Sequence, residues 1–130
     1  MSTILVDNLT GKTSAGSITV TSESGAATQS LQQGLAKAWA SWNSTTTVQD
    51  SLNISSLSDS GSGVTVHNFS SSFSNALFST SGSHDRLGGN INSFLVNAFA
   101  TTSVTTSTYT NAGAIDASVL ASSNVHGDLA

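Results

Sequence analysis

The stretch Asp50–Phe69, DSLNISSLSDSGSGVTVHNF, constrains this chain more than any other. Leu52 and Ile54 alternate with polar residues, and so do Val64 and Val66. Between them, Ser58-Asp59-Ser60-Gly61-Ser62-Gly63 forms a turn whose two glycines are free to adopt positive φ. The pattern is strand, turn, strand, which is a β-hairpin. A lone hairpin cannot hide its apolar face in water. That face must pack on another sheet, of this chain or of a copy. A β-rich structural module is therefore expected, rather than a nucleotide-binding or helical enzyme.

Composition extends the argument to the whole chain of 130 residues, which is long enough for one modest domain with an arm. Charged residues make up only 8%. Lys12, Lys37 and Arg86 face seven acidic residues, for a net charge of −4. No basic patch can form, so phosphate-driven nucleic-acid binding is not expected. Ser and Thr together supply about a third of the chain, so hydroxyls must keep its surface wet. Threonine suits a pleated sheet, and serine competes with helical backbone bonds. The sequence contains no cysteine and no proline. The first removes disulfides and thiolate chemistry. The second leaves sheet edges with little protection against pairing with a neighbour. Met1–Thr10 shows neither the basic start nor the apolar run of a leader, and no stretch approaches the roughly 20 apolar residues of a membrane span.

Residues 1–33 are expected to form an extended N-terminal arm, and 34–130 a β-sandwich head. Ile4 and Val6, then Ile18 and Val20, form two short alternating runs, too thin to build a core, so the arm must pair with something else. Leu31–Trp42 is ambiguous. Leu31, Leu35, Trp39 and Trp42 share a face at helical spacing, whereas a strand over Ala36–Trp42 places the two tryptophans on opposite faces. Beyond it, strands are expected at Val48–Leu57, Val64–Ser70, Asn75–Ser81, Ser93–Thr101, Val104–Thr110 and Ala117–Val125. Turns are expected near Ser60–Gly63, Gly82–Asp85, Gly88–Asn90 and Asn111–Gly113. Short strands at near-regular spacing suggest an antiparallel sandwich.

Three segments also carry a resemblance: Ala36-Lys37-Ala38-Trp39, then Asp50 to Leu57, then Asp59 to Gly63 leading into Val64-Thr65-Val66. With Tyr109–Val125, they resemble the structural β module of marine phage (cyanophage-type) tail-fibre-like virion proteins. The resemblance implies a non-catalytic virion component made in the host cytoplasm, a tail fibre or fibre-like appendage that assembles as a homotrimer. Its arm would join the particle and its head would point outward. A capsid decoration or cement protein built on the same module is the neighbouring reading. A carbohydrate-binding module for host surface glycans, with Trp42 or Tyr109 as platform, is the third. Arg86–Ala100, RLGGNINSFLVNAFA, is more apolar than the resemblance leads one to expect, and could be a contact with another subunit or virion protein.

The reactive residues point to no catalytic, cofactor or metal site. His67, His84 and His126 show no zinc spacing. His67 is expected to face out from its strand or to sit in an interface, and His84-Asp85 to lie in a solvated turn. Asp59 is alone in its glycine-bearing loop, where calcium would want several carboxylates, so the loop reads as a turn. There is no nucleophile elbow, and the single Glu, Glu23, leaves no glycosidase carboxylate pair in the head. Trp39, Trp42, Phe94 and Phe99 are expected to be core or interface anchors, and Tyr109 a surface contact.

Overall fold

Threonine, valine and serine runs fold into an almost entirely antiparallel β structure, seen in a computed structural model that describes residues 3–14, 17–43, 46–85, 92–110, 113–114 and 120–129. The chain divides into two compact units, Met1–Leu35 and Ala36–Ala130.

In the first unit, Thr3–Leu9 has no regular structure. A small hairpin follows, β1 (Thr19–Thr21) against β2 (Thr28–Ser30). Gly25 at φ 72° shapes its turn, and the Ser22 amide donates to the Ala27 carbonyl at 2.8 Å. One helical turn, α1 (Leu31–Gly34), closes the unit. Ser30 caps it through its side-chain oxygen, and Leu35 returns to extended backbone. The helical spacing of Leu31 to Trp42 is therefore used for a single turn only.

The second unit is a sandwich of two sheets. One runs β4 (Val48–Leu52), β3 (Ala38–Trp42), β11 (Ala121–His126), β7 (Ser79–His84). In the other, β5 (Ile54–Gly61) pairs β6 (Val64–Phe69), which pairs β9 (Ser103–Thr110). β9 also pairs β8 (Asn92–Ala100) and the short β10 (Gly113–Ala114). The core between them joins Ala38 and Val125 of one sheet to Phe69 and Val104 of the other, with Phe73 and Phe78 from the connection before β7. Phe69, Phe73 and Phe78 pack as an aromatic cluster with centroids 4.7 to 5.8 Å apart.

Three expectations about the elements need correction. The single strand expected over Val48–Leu57 is two strands in different sheets. They part at Asn53, whose φ is 55°, a conformation Asn tolerates better than most residues. The Asn53 amide holds the corner. Its Oδ1 accepts from the Ser71 amide at 2.6 Å, and its Nδ2 donates to the Ser71 carbonyl at 3.0 Å. Leu52 thus lies exposed on one sheet while Ile54 packs against the core from the other.

The strand expected at Asn75–Ser81 is β7, shifted along the chain, and the expected turn at Gly82 is mid-strand. Gly82 is there because the Phe94 ring lies over it: a Cβ would sit 2.5 Å from Phe94 Cζ and 2.5 Å from the Ser122 carbonyl oxygen. In consequence His84 ends a strand and is half-buried, rather than lying in a solvated turn. The hairpin turn between β5 and β6 tightens to Ser62-Gly63, with Gly63 at φ 70° and Gly61 paired to Val64. The expected turn at Gly88–Asn90, residues 111 and 112 of the next, and residues 117–119 of the last expected strand lie outside the described residues.

The third correction concerns the hairpin's faces. Along β6, Thr65, His67 and Phe69 are buried, and Val64 and Val66 are only half-buried on the outer side. His67 is 0% exposed, between the sheets rather than facing out. It takes the inner face because Phe69, two residues on, belongs to the aromatic cluster, and the strict two-residue period carries His67 in with it.

Candidate functional site

The features that could act on a partner are the first unit, the sheet edges and a few side chains on the sandwich. Among the described residues of Met1–Leu35, not one is buried. Ile4 is 82% exposed and Leu5 90%, with Val6, Leu9 and Val20 also exposed; Ile18 is half-buried. The regular structure of the unit is a hairpin of two three-residue strands and one helical turn, too little to bury these side chains among the described residues.

The sandwich edges differ in how they are guarded. β4 carries Asp50, and β5 carries Asp59 and two breaks in register. On the opposite side, β7 and β8 lie near each other without pairing. Neither carries an acidic side chain, Lys or Arg, and β8 is interrupted only at Asn97, where the register shifts. Charge and irregularity discourage strand addition, so among the described residues the β7 and β8 edges are the less guarded against it.

The aromatic candidates separate. Trp42 is 2% exposed and sets its indole edge-on to the His67 ring, with centroids 4.6 Å apart. It is core and cannot serve as a sugar platform. Phe94 and Val96 reach the core from β8, and the shift at Asn97 keeps Phe99 on the same face, against Phe78 at 5.1 Å. Phe99 remains 44% exposed, at the open edge. Tyr109 is half-buried on β9, opposite Ser93 and Ala114. Trp39 is half-buried on the outer face of β3, away from Trp42.

His67 is the sandwich's most constrained polar group. Its Nε2 lies 2.9 Å from Thr106 Oγ1, and Ser123 Oγ is a longer 3.5 Å from its Nδ1. Thr106 Oγ1 in turn reaches the Thr65 carbonyl oxygen at 3.5 Å. With the Thr106 proton directed there, the bonding assigns the imidazole proton to Nε2 and leaves Nδ1 as acceptor. A hydroxyl from β11 and one from β9 thus grip the ring from the two sheets. Burial lowers His67 to about 4 from the ordinary 6.5, because a charged imidazole would lose its water. This relay lies between the sheets and ties β9 to β11.

The remaining polar candidates stand apart. The Asp59 carboxylate accepts from the Gly61 amide at 2.9 Å and shapes the hairpin turn. His84 lines an open depression with Asp85, Leu120 and Ser122. His126 is exposed at the end of β11. Among the described residues no three His, Asp or Glu side chains converge as a metal site, and no helix is long and apolar enough to cross a membrane. No family model, curated protein or solved structure matches the chain. Sequence reasoning missed the inward turn of His67, for which its two-residue spacing from Phe69 was the available signal.

Proposed function

We propose that the protein is a non-catalytic structural subunit of a phage particle, a tail-fibre or fibre-like appendage component that assembles as a trimer. One observation carries the assembly reading: the first unit holds no buried side chain among its described residues, yet presents Ile4, Leu5, Val6 and Leu9 to water. Burying one such side chain contributes about 1.5–3 kcal/mol, so covering even a few in a neighbour would drive association. The β7 and β8 edges, which carry no Lys, Arg or acidic side chain, are suitable receivers for an added strand. The phage assignment is supported by the motif likeness over Leu35–Phe69 and Tyr109–Gly127. No host-derived cofactor or reaction is invoked; the work is mechanical, multiplied by copy number.

Sedimentation of the full chain and of a chain lacking residues 1–35 tests this. The full chain should sediment as a trimer and the shortened one as a monomer that no longer enters particles. A full chain that stays monomeric at every concentration, or a shortened chain that incorporates normally, would end the proposal. Copies located on the capsid shell rather than the tail would make it a decoration protein instead.

A further inference from the structure

Trp42 fills the core, and the two-residue alternation of β3 sends Trp39 the other way, onto the outer face of the four-stranded sheet. Directly opposed residues on neighbouring strands share a face. Trp39 therefore has Leu52 of β4 on one side and Asn124 of β11 on the other, with Ser81 of β7 beyond. The next row along the same face is Asp50, Ser41, Ser122, Ser83. In it, the Ser83 and Ser122 hydroxyls lie 3.2 Å apart. The row on the other side of Trp39 holds Lys37, His126 and Ser79. The result is an aromatic plate with an apolar shoulder, set on a sheet whose strands are ~4.8 Å apart and bordered by hydroxyls, one amide, one carboxylate, one lysine and one imidazole.

That chemistry selects an occupant. An apolar protein surface laid over Trp39 would strip water from the surrounding hydroxyls and return no hydrogen bonds. Asp50 in the row on one side of Trp39 and Lys37, beside His126, in the row on the other give the face no single sign of charge that would select a polyion. A sugar ring offers what the face lacks: a C–H face for the indole and outward hydroxyls for Asn124, Asp50 and the serines. We infer that the outer face of the four-stranded sheet, centred on Trp39, binds a neutral polysaccharide. The site lies wholly within the second unit and does not depend on how the protein assembles.

Native electrophoresis of the full chain through gels containing a neutral β-glucan, galactomannan or dextran, with alginate as the anionic comparison, tests it. At least one neutral polymer should retard the protein, and added salt should not release it. Trp39→Ala should weaken retention about tenfold or more, Trp39→Phe and Asn124→Ala less, and Tyr109→Ala not at all. Circular dichroism and the fluorescence of Trp42 report whether each variant is folded; should Trp39→Ala fail to fold, Trp39→Phe and Asn124→Ala decide. No retardation by any neutral polymer, retention unchanged in Trp39→Phe and Asn124→Ala, or retention only in alginate and lost in salt would overturn the site. So would a Trp39→Ala chain that changes oligomeric state while the parent binds no polymer, since Trp39 would then be an interface anchor. Sedimentation of the same variants separates failure here from failure of the assembly reading.

Discussion

Residues 1–35 and 36–130 are made from much the same palette of Ser, Thr, Val and Ile, yet only the second set builds an interior. The difference lies in pairing. Every strand of the sandwich has a neighbour whose inner residues it can cover, and Ala38, Val104 and Val125 come within 1% of complete burial. β1 and β2 form a two-stranded ribbon with one helical turn beside β2, and none of the described residues of this unit is buried. Alternating hydroxyl and apolar residues are thus sufficient for strands and insufficient for a fold. A second layer must come from somewhere, and under the proposed function a neighbouring subunit supplies it to the first unit.

The most drastic way to break this contrast is removal. A chain starting at Ala36 should lose self-association entirely while its thermal midpoint stays within a few degrees of the parent's, by sedimentation and calorimetry. A fall of tens of degrees would show that the arm belongs to the head's core. Point substitutions sharpen the same contrast. Phe73→Ala, inside the aromatic cluster, should cost about 3–5 kcal/mol in urea unfolding. Leu5→Ala should leave unfolding unchanged and weaken association instead.

The His67 relay gives a third handle, confined to the sandwich. The unfolded chain takes up a proton near 6.5, whereas folded His67 does so only at about 4. Between these values the unfolded state binds more protons, so stability rises with pH and is lost as pH falls through the window. The loss should approach on the order of 3 kcal/mol by pH 4 and level off below. His67→Gln should flatten the slope of stability against pH between 6.5 and 4, whatever its own baseline cost. An unchanged slope would show that water reaches the ring.

The smallest expected effect is at the sheet-crossing corner. Asn53→Ala removes both clamps on Ser71 and leaves a non-glycine residue at φ 55°. A cost of about 1–2 kcal/mol is expected. A neutral result would mean that the β4–β5 crossing is held by packing alone.

Much of the architecture was legible before any fold was seen. The β5–β6 hairpin, the strands later found as β6, β8 and β9, and the all-β class follow from alternation and from the glycines near the turn. What failed did so for reasons that local pattern cannot carry. Gly82 has the look of a turn residue; it is mid-strand because Phe94, distant in sequence, needs the space of a side chain. Asn53 sits inside an unbroken run of strand-like residues, and only the αL backbone that Ser71 stabilises turns that run into two strands. The candidate contacts divided the same way. That Trp39 and Trp42 oppose each other if β3 is a strand was readable, but which of them faces the core was not.

From its residues alone, this chain was bound to be a charge-poor β protein with an N-terminal segment too thin for a core of its own. Period-two alternation specifies two faces, and the scarcity of helix formers and charges leaves few other solutions. Which face turns inward was decided only when the sheets met. Phe69 joined Phe73 and Phe78, His67 was carried inside between Thr106 and Ser123, and Trp42 filled the space beside it, leaving Trp39 to the surface. A strand's pattern is symmetric between its sides, and only contacts with residues far along the chain break that symmetry.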